Sequence, residues 1–199
     1  MWFRSKDSNL FNTKMSSYYF TKTWFDCADI KSRLMSFFNS NQLLNILEIG
    51  SYEGASSVFI ADNLLSNTSS KLTCVDPFLL SDKITPLTTS TENTFLFNIS
   101  KSKHHDRIFH KKMLSSEFYL ENKEKYDLIY IDGSHEVEDV RNDFLNCIKI
   151  LNKNGIMWID DYAAEKLGLT QCINELYEQN KNVLEVIHVG YQVAFRYTG

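Results

Sequence analysis

Leu47-Glu48-Ile49-Gly50-Ser51-Tyr52-Glu53-Gly54-Ala55-Ser56 is the stretch that decides how this chain folds. Asn45 to Ile49 is a short apolar run that stops at Gly50. From Ala55 onward Val58, Ala61, Leu64 and Leu65 recur at helical spacing. A change of period from strand to helix across a glycine turn marks the start of a strand–turn–helix unit. The spacing is GxxxG, not the GxGxxG that brings a pyrophosphate onto a helix N-terminus. With an acid two residues before the first glycine, the turn suits a ligand without a pyrophosphate. Gly50 lets a ligand chain lie against bare backbone, and Gly54 lets the helix pack closely.

The same alternation continues outward. Lys71 to Val75 is a second strand, stopped by Asp76-Pro77, and residues 78–90 form a loop. Thr91 to Ser100 is a short helix, Arg107 to Met113 a third strand, and Tyr126 to Ile131 a fourth that ends at Asp132-Gly133. Glu136 to Leu151 is a helix with Val137, Val140, Phe144, Ile148 and Leu151 on one face. Asn154-Gly155 closes it, and Ile156 to Ile159 is the fifth strand, ending in Asp160-Asp161. A helix from Thr170 to Asn180 follows, then two strands, Val183 to Val189 and Gln192 to Tyr197, close enough to pair as a hairpin.

Strands alternating with helices, and reading as continuous apolar runs, belong to a parallel sheet covered on both faces. The expected fold is therefore α/β: a Rossmann-like, seven-stranded, mostly parallel sheet with helices on both faces and a terminal antiparallel pair. Residues 1–40 form an N-terminal helical and aromatic extension in which Phe20, Trp24 and Phe25 could serve as a lid, and residues 41–199 form the main domain. Such sheets bind ligands beyond the carboxyl ends of their strands. Four strands here end in an acid or a glycine: Glu48/Gly50, Asp76, Asp132/Gly133 and Asp160/Asp161. Only 7 of 199 residues are glycine, about half the ordinary ~7% share, so glycines gathered at strand ends carry weight.

Composition narrows the function. A net charge of −4 argues against a protein whose main task is gripping nucleic acid. The basic run from Lys101 to Lys112 precedes and includes the third strand, so most of it falls at the amino edge, opposite the site. No apolar run is long enough to span a membrane, and the first residues do not read as a secretory signal, so a cytoplasmic protein is expected. Cys27, Cys74, Cys147 and Cys172 have no metal-ligand spacing and read as reduced, mostly buried thiols.

Downstream of the glycine turn, Ile129-Tyr130-Ile131-Asp132-Gly133-Ser134-His135, then Val140 and Asp143, then Asn154-Gly155 and Ile159-Asp160-Asp161-Tyr162, stand in a recognisable order. With Tyr19 to Phe25 at the start and Gly190-Tyr191-Gln192-Val193-Ala194 at the end, the chain resembles a class I S-adenosylmethionine-dependent methyltransferase. It is similar to a subfamily that includes small-molecule and sugar O-methyltransferases. The resemblance implies S-adenosyl-L-methionine as cofactor, with Glu48, Gly50, Ser51, Tyr52, Glu53, Gly54 and Ser56 at its methionine end. It also implies that Asp76, followed by Pro77, accepts from the ribose hydroxyls; a carboxylate can accept both O–H groups of a diol. Nicotinamide cofactors carry the same diol, so Asp76 alone does not separate the two. Leu114 stands where relatives often carry an acid, which leaves the adenine amine to Ser115, Ser116 or a main-chain carbonyl. Asp132 and His135 complete the cofactor-binding set.

Asp132, Asp160 and Asp161 form the sharpest chemical cluster. Asp132 and Asp160 lie 28 residues apart, the length of one strand–helix–strand crossover. Three carboxylates suit Mg²⁺, which would hold vicinal oxygens of a substrate and acidify its hydroxyl; the alternative is that Asp160 and Asp161 bond backbone amides and shape the pocket without metal. His135 follows the fourth strand on the same edge, where an imidazole can take a proton from a hydroxyl. The catalytic set is therefore His135, Asp132 and Asp160. The expected activity is methyl transfer to an oxygen of a small molecule, such as a sugar hydroxyl. A nucleic-acid methyltransferase and a catalytically idle cofactor-binding module remain the alternatives, and a homodimer is among the assemblies the sequence allows.

Overall fold

A computed structural model describes residues 18–39, 41–79, 90–164 and 168–199. Seven strands, β1 (Asn45–Ile49), β2 (Lys71–Val75), β3 (Ile108–Lys111), β4 (Tyr126–Ile131), β5 (Leu151–Ile159), β6 (Leu184–Val189) and β7 (Val193–Tyr197), form one sheet in the order β3-β2-β1-β4-β5-β7-β6. Strands β1 to β5 run parallel, and β7 lies antiparallel between β5 and β6. The helices are α1 (Ile30–Arg33), α2 (Ala55–Leu64), α3 (Thr91–Lys101), α4 (Ser115–Glu121), α5 (Val137–Ile150) and α6 (Leu169–Asn180). This is the Rossmann-like fold with a terminal antiparallel pair.

The period-2 geometry of the strands divides the core. Ile46, Leu72, Leu128, Tyr130, Ile156 and Trp158 pack beneath α2, α3 and the segment around α1. Their neighbours Leu47, Ile49, Ile129, Ile131, Met157 and Ile159 point the other way, under α4, α5 and α6. Because successive residues of one strand serve opposite layers, every central strand must be apolar throughout, and that is why the strands read as unbroken runs. Glu48 is the charged exception among the described strand residues buried in the core: its position puts a carboxyl into the layer of Ile46 and Tyr130, with no solvent exposure.

Two elements differ from the sequence reading. The fifth helix stops at Ile150, and β5 starts at Leu151 rather than Ile156. Asn154, with φ +65°, takes its left-handed turn inside the strand, where the pairing with β4 shifts register between Tyr126 and Leu128. Asn154-Gly155 is therefore a bulge and not a helix cap; the left-handed geometry that asparagine tolerates serves both. Helix α4 went unread because it holds seven residues, too few for a period to show. The loop read at 78–90 falls largely within 80–89, outside the described residues, as do residues 1–17 of the N-terminal extension.

The described part of that extension lies against the sheet. Tyr19 donates its N–H to Asn98 Oδ1 at 2.8 Å, and Asn98 Nδ2 returns a bond to the Tyr19 carbonyl at 2.6 Å. Asp29 accepts from Gln192 N and pairs with His188, both at 3.0 Å. Of the basic run, Arg107 gives Nη1 to the carbonyls of Leu65 and Asn67, each at 2.6 Å, tying the end of α2 to the start of β3. Cys74, Cys147 and Cys172 are buried thiols and Cys27 an exposed one. Among the described residues no helix is long and apolar enough to cross a membrane.

Candidate active site

The glycine turn and the loop after β4 are in direct contact. Gly50 has φ +83°, and a Cβ there would stand 2.0 Å from the Asp132 carbonyl oxygen, so only glycine fits. Gly54, at φ +85°, caps α2 with the Phe95 ring 3.0 Å from where its Cβ would be. Asp76, at the end of β2, binds this turn. Its Oδ2 accepts from Ser51 N and Tyr52 N, each at 2.8 Å, and its Oδ1 from Phe78 N at 2.5 Å. Both Tyr52 and Phe78 hold positive φ. A carboxylate offers about four lone-pair sites. Among the described residues three are used, which leaves one acceptor position unless the turn at 51–52 gives way.

Behind the turn, Glu48 Oε2 accepts from Ser51 Oγ at 2.7 Å and also from Ser57 Oγ. Burial pushes its carboxyl above the ordinary range, and hydrogen bonds from Ser56, Ser57, Ser51 and Cys74 oppose that rise. Glu53 faces the N-terminal segment: Oε2 accepts from Thr21 N at 2.6 Å and Oε1 from Thr21 Oγ1 at 2.7 Å. Trp24 lies over Tyr52 with ring centroids 5.0 Å apart. Thr21 and Trp24 thus cover the outer side of the turn. Pro77 is partly exposed at the head of the loop after β2.

At the end of β5 the backbone turns so that two adjacent aspartates face different partners. Asp161 has φ +54°, and its Oδ2 lies 2.8 Å from His135 Nε2 while Tyr191 donates its hydroxyl to Oδ1. His135 and Tyr191 hold the Asp161 carboxyl below its ordinary value, and Asp161 in turn raises His135. Ligand atoms of Asp132, His135 and Asp161 lie within 4.8 Å of one another. Asp160 is used differently from its neighbour. Its Oδ2 accepts from Tyr130 Oη at 2.5 Å and its Oδ1 from Asp161 N at 2.7 Å. Gln192, fully buried, donates Nε2 to Tyr130 Oη at 3.1 Å and accepts at Oε1 from Trp158 Nε1 at 2.7 Å and Ile30 N at 2.8 Å. Burial, and then the charges of Asp160, Asp161 and Glu48, push the Asp132 carboxyl well up, while burial raises Asp160 against the hydrogen bonds it accepts from Tyr130 and Asp161 N.

Ser115 opens α4, one residue after Leu114, and its side chain, with that of Tyr119, eases the charge of the Asp143 carboxyl on α5. Asp143 is 2% exposed, and burial pushes its carboxyl up from 3.8 to about 6. Tyr130, Tyr191 and Thr21 join the site although no single-residue signal marks them. Tyr130 and Tyr191 sit inside the strand-end motifs, next to residues that were read for their chemistry.

A glycine turn, a β2-end acid and a cluster of carboxylates with an imidazole, all on one sheet edge, define a class I methyltransferase. Residues 47–162, more than half of the chain, match the family model described as "Methyltransferase domain", and the chain belongs to that family. It is 30% identical over 125 residues to an uncharacterized protein of Acanthamoeba polyphaga mimivirus, an alignment covering 60% of this chain and 52% of that protein. The chain therefore spans about half the length of that curated relative. In fold it is similar to an O-methyltransferase from Bacillus cereus solved with S-adenosylhomocysteine (TM-score 0.59, 19% identity, 78% of this chain and 74% of that one). It is also similar to the O-methyltransferase TomG from Streptomyces achromogenes, solved with S-adenosylmethionine (TM-score 0.63, 14% identity, 85% and 78%). A third likeness is to the N-methyltransferase NodS from Bradyrhizobium japonicum WM9 (TM-score 0.55, 18% identity, 85% and 86%).

Proposed function

We propose that the chain moves the methyl group of S-adenosylmethionine to a hydroxyl oxygen of a small molecule such as a sugar. One observation supports this above the rest: the Asp161–His135 pair stands beside the loop that touches the glycine turn. With Nε2–H given to Asp161, the lone pair of His135 is on Nδ1, the nitrogen that would take the acceptor's proton. The acceptor oxygen then bonds to the methyl carbon as the carbon–sulfur bond breaks, its electron pair staying on sulfur. The protein's share is to align the nucleophile and hold its proton. Glu48, Gly50, Ser51, Tyr52, Gly54, Ser56 and Asp76 would hold the methionine and ribose portions. Residues 18–28 would act as a lid, held by Thr21 on Glu53 and Trp24 on Tyr52.

The donor set fits a divalent cation: within the group of Asp132, Asp161 and His135, the two carboxylates would hold it, leaving Nδ1 of His135 free as the base. Asp160, whose two oxygens are engaged by Tyr130 and by Asp161 N, would support that group rather than join it. A bound cation would supply positive charge to an acceptor with two adjacent oxygens.

Calorimetric titration of S-adenosylmethionine and, separately, NAD, with and without Mg²⁺, tests the cofactor assignment. Micromolar binding of the methyl donor alone supports it. Binding of NAD alone, or of neither, refutes it and brings forward an idle or interaction module.

A further inference from the structure

The turn between β6 and β7 is bonded on two sides at once. Gly190 N donates to the Gln192 carbonyl at 2.8 Å, which closes the turn. On one side it meets the N-terminal segment. Asp29 Oδ2 accepts from Gln192 N at 3.0 Å, and a Cβ on Gly190 would stand 2.3 Å from that same oxygen, so a residue without one lets the carboxylate come so near. Ile30 gives its N–H to Gln192 Oε1 at 2.8 Å. On the other side the turn meets the residues that follow β5. Tyr191 donates its hydroxyl to Asp161 Oδ1, and its carbonyl accepts from Ala163 N at 3.0 Å. Gln192 reaches Asp160 through Tyr130.

The polarity of that last chain is fixed. Gln192 Oε1 meets an indole N–H and a backbone N–H, groups that only donate. The amide oxygen must therefore lie there, and the amide nitrogen must face Tyr130 Oη. The Tyr130 oxygen takes a proton from Gln192 and gives its own to Asp160 Oδ2, 2.5 Å away. Ile30, Tyr130, Trp158 and Gln192 are all fully buried, so water does not reach these bonds.

Resting on the reading of this edge as the methyl-transfer site, we propose that residues 190–192 are a positioning element. The seating of the N-terminal segment at Asp29 and Ile30 sets the placement of Asp160 and Asp161, with Gln192 as the pivot. A segment that lifts takes away the acceptor of Gln192 N and one of the two donors on Gln192 Oε1. The turn and the amide then gain freedom, and the hydroxyls of Tyr191 and Tyr130 lose their fixed direction toward the two aspartates. Because Asp161 is the partner of His135, proton removal from the acceptor is confined to the covered state.

Amide exchange followed by NMR in Asp29→Ala tests this. The substitution is made on the N-terminal side, and the reporters stand on the other: the amides of Asp161, bonded to Asp160 Oδ1, and of Ala163, bonded to the Tyr191 carbonyl. Both should exchange about tenfold faster than in the wild type, roughly the worth of one hydrogen bond, while the amides of β2 keep their rates. D29N keeps an oxygen that can accept from Gln192 N and from His188 Nε2, the second partner of Asp29, and should restore the wild-type rates. If D29A does not fold, Gly190→Ala, which pushes the same carboxylate away from the turn, must give the same pattern. Asp161 and Ala163 amides that keep wild-type rates while the Ile30 amide speeds up overturn the proposal. So does an acceleration that extends equally to β2, or a D29N no closer to wild type than D29A. Titration of S-adenosylhomocysteine into the wild type keeps the two readings apart. No binding removes the methyl-transfer reading and leaves the coupling to the exchange rates, whereas binding with unmoved amides removes the coupling alone.

Discussion

Asp143→Asn should make the ligand-free protein more stable at neutral and alkaline pH, because the wild-type side chain holds a charge that its surroundings do not fully satisfy. Burial raises the carboxyl from 3.8 to about 6. An acid whose folded pKa lies above its unfolded pKa destabilises the fold when ionised. The cost is absent below about pH 4, grows between pH 4 and 6, and is fully present above about pH 6. At ~1.4 kcal/mol for each tenfold change in proton affinity, the cost comes to about 3 kcal/mol. Only 2% of the residue is exposed, so solvent screening removes little of it. Asparagine keeps the shape and carries no charge. D143N should therefore gain up to about 3 kcal/mol at pH 8 and nothing at pH 4, which for a chain of this length is roughly 6–12 °C in Tm. Urea denaturation of both proteins between pH 4 and 8 measures it. Parallel stability curves, or a variant less stable than the wild type at pH 8, would show that the carboxyl is not held ionised and under-satisfied.

Four further outcomes are expected. Asp76→Ala removes the acceptor for Ser51 N and Tyr52 N and should abolish calorimetric binding of S-adenosylmethionine; unchanged affinity would sink the ribose assignment. Gly50→Ala drives a Cβ into the Asp132 carbonyl at 2.0 Å from a positive φ, and chemical denaturation should show a loss of about 3 kcal/mol or more. His135→Ala should spare cofactor affinity and lower turnover on an identified acceptor. Since Asp161 raises the His135 pKa, the wild-type rate should climb with pH through a point above ordinary histidine, and Asp161→Asn should move that point down; an unmoved profile argues against His135 as the base. Titration with Mn²⁺ or Mg²⁺ should give at least tenfold weaker binding in Asp132→Asn and Asp161→Asn, and a smaller loss in Asp160→Asn, a difference that an equal three-carboxylate site would not produce.

The strand ends were legible because a parallel sheet imposes two rules that leave marks in one dimension. Its strands are apolar on both sides, and its ligands collect where they stop. Asp76, Asp132, Asp160 and the two turn glycines follow from those rules alone. Side-chain direction past the last strand residue does not. Asp160 and Asp161 are adjacent letters, yet the positive φ of Asp161 hands one to Tyr130 and the other to His135. Nothing local predicts that break. Contacts between distant segments were equally hidden. Glu53 carries its turn signature openly, but its partner Thr21 lies 32 residues back, and Gln192 reaches Ile30 across 162 residues. Asp143 could be placed in the motif, whereas the burial of its carboxyl depends on how α4 seats against α5. Helix α4 and the early start of β5 were missed for a simpler reason: seven residues and a bulge give periodicity too little to work with.

The missing Cβ at Gly50 has a consequence for redesign. The loop that would carry the cofactor and the loop that carries Asp132 and His135 meet backbone to backbone there, with no side chain between them to absorb a misfit. Anyone who reshapes the β4 loop to admit a new acceptor also moves the floor under the methyl donor, and an insertion beside the glycines displaces the proposed base. On the proposed roles, acceptor preference and donor grip would be mechanically one part, so libraries that vary the two loops together should yield working variants more often than libraries that vary either alone.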